Sequence, residues 1–93
     1  MRIIDIANRE LRDATERYLD IRPELGNRFK NAMKAGFQDI AAYPDRYPLI
    51  LGTARQYLVP VFPYSIIYRY RFGTIKIIAV YNHFRKPLGW RHR

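Results

Sequence analysis

The chain contains no cysteine, which excludes disulfides and thiolate metal sites and fits a reducing, cytoplasmic setting. No run approaches the ~18 consecutive apolar residues of a membrane-spanning helix. The opening Met1-Arg2-Ile3-Ile4-Asp5 has none of the apolar stretch of a signal peptide. A small soluble protein with no membrane partner is therefore expected. A glycine-rich phosphate loop is missing, as are HExxH and DxD patterns. The acids fall at helix positions and read as solvated faces, and no carboxylate pair stands out for acid–base chemistry. No cofactor and no metal are expected. Most telling is the lack of any Asp or Glu after Asp45.

What is present divides at that point. Residues 1–45 carry eight basic and eight acidic side chains, whereas residues 46–93 carry nine basic ones and no acid, so the net charge of +9 belongs to the second part. Ten of the fourteen aromatic residues lie there too. Such a surface attracts an anionic partner, either a nucleic acid or an acidic protein segment. With 93 residues and 48% apolar content, the chain is expected to form one packed domain spanning residues 1–93.

Periodicity supplies the elements. Ala7, Leu11, Ala14 and Tyr18 recur at steps of four, three and four, one face of a helix, with Asp5 suited to the N-cap. Ile21-Arg22-Pro23 breaks that helix, and Pro23 suits the first position of a second. The second helix carries the stripe Leu25, Phe29, Ala32, Met33, Gly36, Phe37, Ile40 and stops at Tyr43-Pro44. A short turn predicts an antiparallel helix hairpin. The period then changes to two. Arg55–Val59 reads as a short strand ended by Pro60. Tyr64, Ile66, Tyr68, Tyr70 and Phe72 form the aromatic face of a longer strand, with Ser65, Ile67, Arg69 and Arg71 on its other face. Gly73-Thr74 turns the chain into a third strand, with Ile75, Ile77, Ala79 and Tyr81 on one face. The expected fold is α+β, a two-helix hairpin packed on an antiparallel sheet of three to four strands. Arg2–Ile4 supplies the fourth.

Candidate functional residues come from the basic half. Arg55, Arg69 and Arg71 lie on neighbouring strands that can bring them onto one surface, joined by Arg85, Lys86, Arg91 and Arg93 of the tail. His83, at a strand end, has a side chain that titrates near neutrality and is a candidate general base. For an isolated histidine there, a structural role is the alternative. Trp90 has two readings: a contact residue, or a ring that pins the tail to the sheet.

The tail pattern His83-x-Arg85-x-Pro87-x-x-Trp90-x-x-Arg93 follows a buried strand, and Phe62-Pro63-Tyr64-x-Ile66-x-Tyr68 opens the strand before it. Together with Ala7-x-x-Glu10-Leu11-x-x-Ala14, the Asp20–Arg28 turn and the helix end Ile40-x-x-Tyr43-Pro44, this resembles the ParE-like branch of the RelE/ParE superfamily of bacterial toxins, across most of the chain. The resemblance implies the toxin of a type II toxin–antitoxin pair, bound by a cognate antitoxin with an acidic, amphipathic segment. The uncompensated charge and the tail motif point to target or antitoxin contact at Arg55, Arg69, Arg71, His83, Arg85, Trp90, Arg91 and Arg93, with the antitoxin groove expected in the basic half.

Mechanism divides the superfamily. RelE-like members cut messenger RNA in the ribosome, whereas ParE-like members act on DNA gyrase. The nucleases commonly place an arginine directly after the aromatic residue that starts the penultimate strand; here that position is Ser65. They often use a tail tyrosine; here Trp90 stands there and cannot serve as an acid. Serine cannot replace the bidentate charge-assisted bonds of arginine, which favours gyrase inhibition without catalysis. The alternative is a ribosome-dependent RNase using His83, Arg85 and Arg55. A third reading is a non-toxic basic module that binds nucleic acid. Only Arg2-Ile3-Ile4 precede the first helix, where relatives usually have a full strand. Either that strand is a stub or the true start lies upstream of Met1. A short first strand is expected to bare a sheet edge that invites homodimer pairing.

Overall fold

The structure is a computed structural model that describes residues 1–86 and 88–93. Pro87, a member of the tail pattern, lies outside the described residues. The elements run β1 (Arg2–Ile3), α1 (Asp5–Ile21), α2 (Pro23–Ala42), β2 (Leu49–Leu51), β3 (Ala54–Leu58), β4 (Tyr64–Arg71) and β5 (Thr74–Asn82). The five strands form one sheet in the order β1-β5-β4-β3-β2, with β1 parallel to β5 and the other pairs antiparallel. The expected α+β class and hairpin-on-sheet layout are met, with one strand more than expected.

The hairpin forms where proline forces it. Arg22 is extended (φ −159°, ψ 140°), as a residue before proline prefers, and Pro23 begins α2 directly. The helices cross at Gly26, where an added Cβ would sit 2.3 Å from Leu19 Cδ2 and 2.9 Å from the Leu19 backbone. Only glycine admits that approach. One expectation is corrected: Ile4, not Asp5, is the N-cap, and no side-chain cap bond forms. Asp5 is instead the first helical residue, where its carboxylate faces the positive end of the helix dipole.

The sheet departs from strict alternation in three places. At the β4–β5 hairpin, Phe72 (φ 51°) and Gly73 (φ 75°) form the two-residue turn, so Phe72 leaves the aromatic face and stands 96% exposed. In β5, Tyr68 pairs with Ile77 and Ile67 with Ala79, so Ile78 is the extra residue of a β-bulge. Beyond it Val80 joins the helix-side core, while Ala79 packs on the opposite side of the sheet, away from Ile75 and Ile77. The third departure is β2, three residues paired with β3 through a turn at Gly52.

Two cores result. Between sheet and helices lie Ala7, Ala14, Phe29, Met33, Ile40, Tyr57, Tyr64, Ile66, Tyr68, Ile77 and Val80. Phe29, Phe62 and Tyr64 meet edge-to-face there, with ring centroids 5.1–5.2 Å apart. On the outer face, Ala54, Ile67, Ile78 and Ala79 are covered by Trp90. Trp90 is only 3% exposed, so its ring pins the tail to the sheet.

The edge expected to be bare is largely occupied. Strand β1 and Ile4 pair with β5 as far as Ile77. Beyond it, Val80 N–H donates to Glu10 Oε1 (3.1 Å) and Arg93 Nη1 donates to the Ile78 carbonyl (3.1 Å). Arg93 and Glu10 also pair with each other through two bonds, at 2.7 and 3.1 Å. Helix α1 and the tail thus clamp the edge that a longer first strand would fill.

Candidate functional site

Strand register decides which basic side chains share a surface. Directly paired residues project to the same side of a sheet. Arg55 pairs with Tyr68, and Arg69 pairs with Ala54 and Lys76. Arg55 therefore lies on the helix side and Arg69 on the outer side, so the expected common surface of Arg55, Arg69 and Arg71 does not form. Arg55 braces the loop after α2, with its Nη1 donating to the carbonyls of Tyr47 (2.7 Å) and Asp45 (3.1 Å).

What the register does assemble is a basic row that was missed. Arg2 pairs with Lys76, which pairs with Arg69. Three like charges thus stand on adjacent strands of the outer face, ~4.8 Å apart in backbone spacing. Arg69 Nη1 donates to Thr53 Oγ1 (2.8 Å), and Arg71 lies over the exposed Phe72 ring (5.6 Å). Like charges directly opposed are unfavourable, so an anionic partner would relieve this row. The sequence signal was the alternation itself, but Arg2 could be placed only once β1 was known to run parallel to β5.

At the other end of the outer face, the tail covers the sheet. Ser65 is fully buried, accepts from Gln56 Nε2 (2.9 Å) and lies 2.7 Å from His83 Nε2. Gln56 donates to the serine hydroxyl, which keeps one proton and a second acceptor position, so the direction of the Ser65–His83 bond follows the imidazole tautomer. His83 Nε2 thus meets a buried hydroxyl, while the residue itself is exposed at the strand end. The Tyr81 ring lies 5.9 Å from the His83 ring, and its hydroxyl donates to the Arg85 carbonyl (3.1 Å). The Arg85 side chain is exposed, as is Arg91, whose Nε donates to His92 Nε2 (3.2 Å). Arg93, held by Glu10, is committed to the edge clamp. The eight expected contact residues thus divide. Arg55, Trp90 and Arg93 hold structure, His83 anchors the tail through Ser65, and Arg69, Arg71, Arg85 and Arg91 reach solvent.

Two concavities flank these surfaces. A cleft of about 420 Å³ opens between α1, the end of β4–β5 and the tail, lined in part by Arg17, Tyr64, Asn82, Arg85 and Lys86. A larger groove of about 770 Å³ runs between α1 and α2. Its floor is Leu11, Leu19, Met33 and Phe37, and Arg12, Lys30 and Lys34 also line it. This apolar groove lies in the charge-balanced first half of the chain. The reason is packing: the hairpin presses one side of each helix on the sheet and leaves a furrow between them on the other. Among the described residues, no group of three or more His, Asp or Glu side chains is placed to hold a metal. No described helix is long and apolar enough to cross a membrane.

Burial raises the pKa of three phenols, Tyr18, Tyr57 and Tyr68. Tyr57, which donates to Asp39 Oδ2 (3.0 Å), has its pKa pushed up to about 12, first by burial and then by the Asp39 bond and charge. Tyr68, donating to the Pro44 carbonyl (2.6 Å), is also raised to about 12 by burial, against an opposing pull from Arg55. Tyr57 and Tyr68 are structural struts under the sheet.

The chain thus combines a helix hairpin on a small, edge-clamped sheet with a basic row on the outer face and an apolar furrow on the hairpin. Residues 3–87 match the model of the ParE toxin family, described as the ParE toxin of the type II toxin–antitoxin system parDE. The chain belongs to that family, and the family implies an antitoxin partner. Among curated protein sequences, none is significantly similar to it.

Proposed function

We propose that this chain is a toxin that inhibits DNA gyrase without catalysing a reaction, and that its cognate antitoxin neutralises it by laying an amphipathic helix in the α1–α2 groove. The observation that carries the first part is the state of Ser65. Where a ribonuclease of the superfamily would present an arginine, this chain has a buried hydroxyl tied to Gln56 and His83. A phosphorane-like transition state needs preorganised cationic donors, and this position supplies none. The bracing of the Tyr47 and Asp45 carbonyls by Arg55 occupies a further member of an RNase set, and His83 is tied to the buried Ser65 hydroxyl.

The groove supports the second part. Its apolar floor suits the i, i+3, i+4 and i+7 anchors of a docked helix. Arg12, Lys30 and Lys34 along it suit the acidic face of an antitoxin segment. The outer-face row Arg2–Lys76–Arg69 is then free to meet the anionic surface of a gyrase–DNA complex. Purified toxin in a gyrase supercoiling assay, beside a translation-coupled RNA cleavage assay, tests the reading. Inhibited supercoiling with intact message is expected. Cleaved message with unaffected gyrase would overturn it in favour of the RNase. Steeply salt-dependent binding to free nucleic acid with neither effect would favour a basic binding module.

A further inference from the structure

The cleft beneath the tail is built from hydrogen-bond donors. At its floor, the Tyr64 oxygen accepts from Arg17 Nη2 (3.1 Å) and from Asn82 Nδ2 (3.3 Å). A phenol oxygen has one proton and two acceptor positions. Both acceptor positions are filled, and among the described residues no group accepts the proton. Two acceptors that line the cleft have partners elsewhere. Asn82 Oδ1 takes the Phe84 N–H (2.9 Å), and the Glu10 oxygens take Arg93 and the Val80 N–H. Of the lining side chains, Arg17, Arg85 and Lys86 remain as cations, with Asp13 as the one opposing acid.

We propose that this cleft binds a phosphate monoester, held by Arg17 from α1, Tyr64 and Asn82 from the sheet, and Arg85 and Lys86 from the tail. The donors come from three walls. A tetrahedral oxyanion offers acceptors in three directions, whereas a planar carboxylate offers them in one plane. The site is separate from the α1–α2 groove and does not depend on gyrase being the target. The phosphate can belong to a free mononucleotide or to the 5′ end of a nucleic-acid strand.

Titration of the ¹⁵N-labelled full chain with inorganic phosphate, at ionic strength held constant with sodium chloride, tests the site by NMR. Saturable shifts confined to Arg17, Tyr64, Asn82, Arg85 and Lys86 are expected in the millimolar range. Tyr64→Phe and Arg17→Gln should each weaken binding at least about tenfold, the loss of one charge-assisted or buried donor. Arg85→Gln, on the exposed tail, tests the site without touching the core and should weaken binding several-fold. A nucleoside monophosphate and an oligonucleotide with and without its 5′-phosphate then distinguish the sources, the tighter phosphorylated ligand naming the one in use. No saturation, an equal response to acetate, or unchanged affinity in all three variants at unchanged melting temperature would overturn the site.

Discussion

Replacing Trp90 by alanine separates the two roles open to it. The indole is 3% exposed and packs on Ala54, Ile67, Ile78 and Ala79. A buried tryptophan covers about 200 Å², worth about 5 kcal/mol at 25 cal/mol per Å². Measured Trp→Ala costs run about 3–5 kcal/mol. The variant has a way out: the tail can lift off, which caps the loss at the free energy that docks it. The expected net cost is therefore about 2–4 kcal/mol. For a domain of this size that lowers the melting temperature by about 10–25 °C. Lifting the tail also frees Arg93 from Glu10, so amide exchange at Ile78 and Val80 should accelerate together with that at Ile67. Thermal melting by circular dichroism and hydrogen exchange read both effects. A fall of under about 5 °C combined with lost toxicity would refute the reasoning and make Trp90 a contact residue.

Three further outcomes follow from the packing. Gly26→Ala forces a Cβ into the Leu19 backbone and should cost at least about 2 kcal/mol, read as a lower urea midpoint, whereas alanine at Gly89, where the nearest atom among the described residues is the Lys86 carbonyl oxygen at 3.6 Å, should cost much less. Because the Tyr57 and Tyr68 phenols are raised to about 12 from 10.0, their stabilising contribution is full below pH 10 and lost as pH rises towards 12. An alkaline unfolding transition in that window, shifted in Tyr57→Phe, is the expected observation in a pH titration of stability. Glu10→Ala removes the clamp on β5, leaving the Val80 N–H and the Ile78 carbonyl open to another strand. Sedimentation should then show a larger concentration-dependent dimer fraction than for the unsubstituted chain, and unchanged sedimentation would contradict the clamp.

The helix hairpin was legible because its signals are local: a stripe at helical spacing, and a proline whose ring restricts the residue before it. The aromatic face of β4 was legible for the same reason. What escaped was set by register and long-range contact. Nothing local marks Ile78 as a bulge residue, yet that one insertion moves Ala79 and Val80 to opposite sides. Strand β2 is too short to show a period. The separation of Arg55 from Arg69 follows from pairing between strands, which alternation within each strand cannot report. Glu10 and Arg93 stand 83 residues apart, and only the packing of α1 beside β5 makes them partners. At the site, the residue type of Ser65 is plain in the sequence, but its bond to His83 follows from the β4–β5 register, which sets Tyr64 opposite Asn82.

The central claim is non-catalytic gyrase inhibition by a chain whose nuclease position holds a buried serine. Its most direct test is a supercoiling assay with purified gyrase and no ribosomes, titrated with the toxin. Loss of supercoiling and accumulation of stalled gyrase–DNA complexes are expected, reversed by an acidic amphipathic antitoxin and retained in His83→Ala if the tail stays folded. Unimpaired supercoiling, together with cleavage of translated message that His83→Ala abolishes, would contradict it.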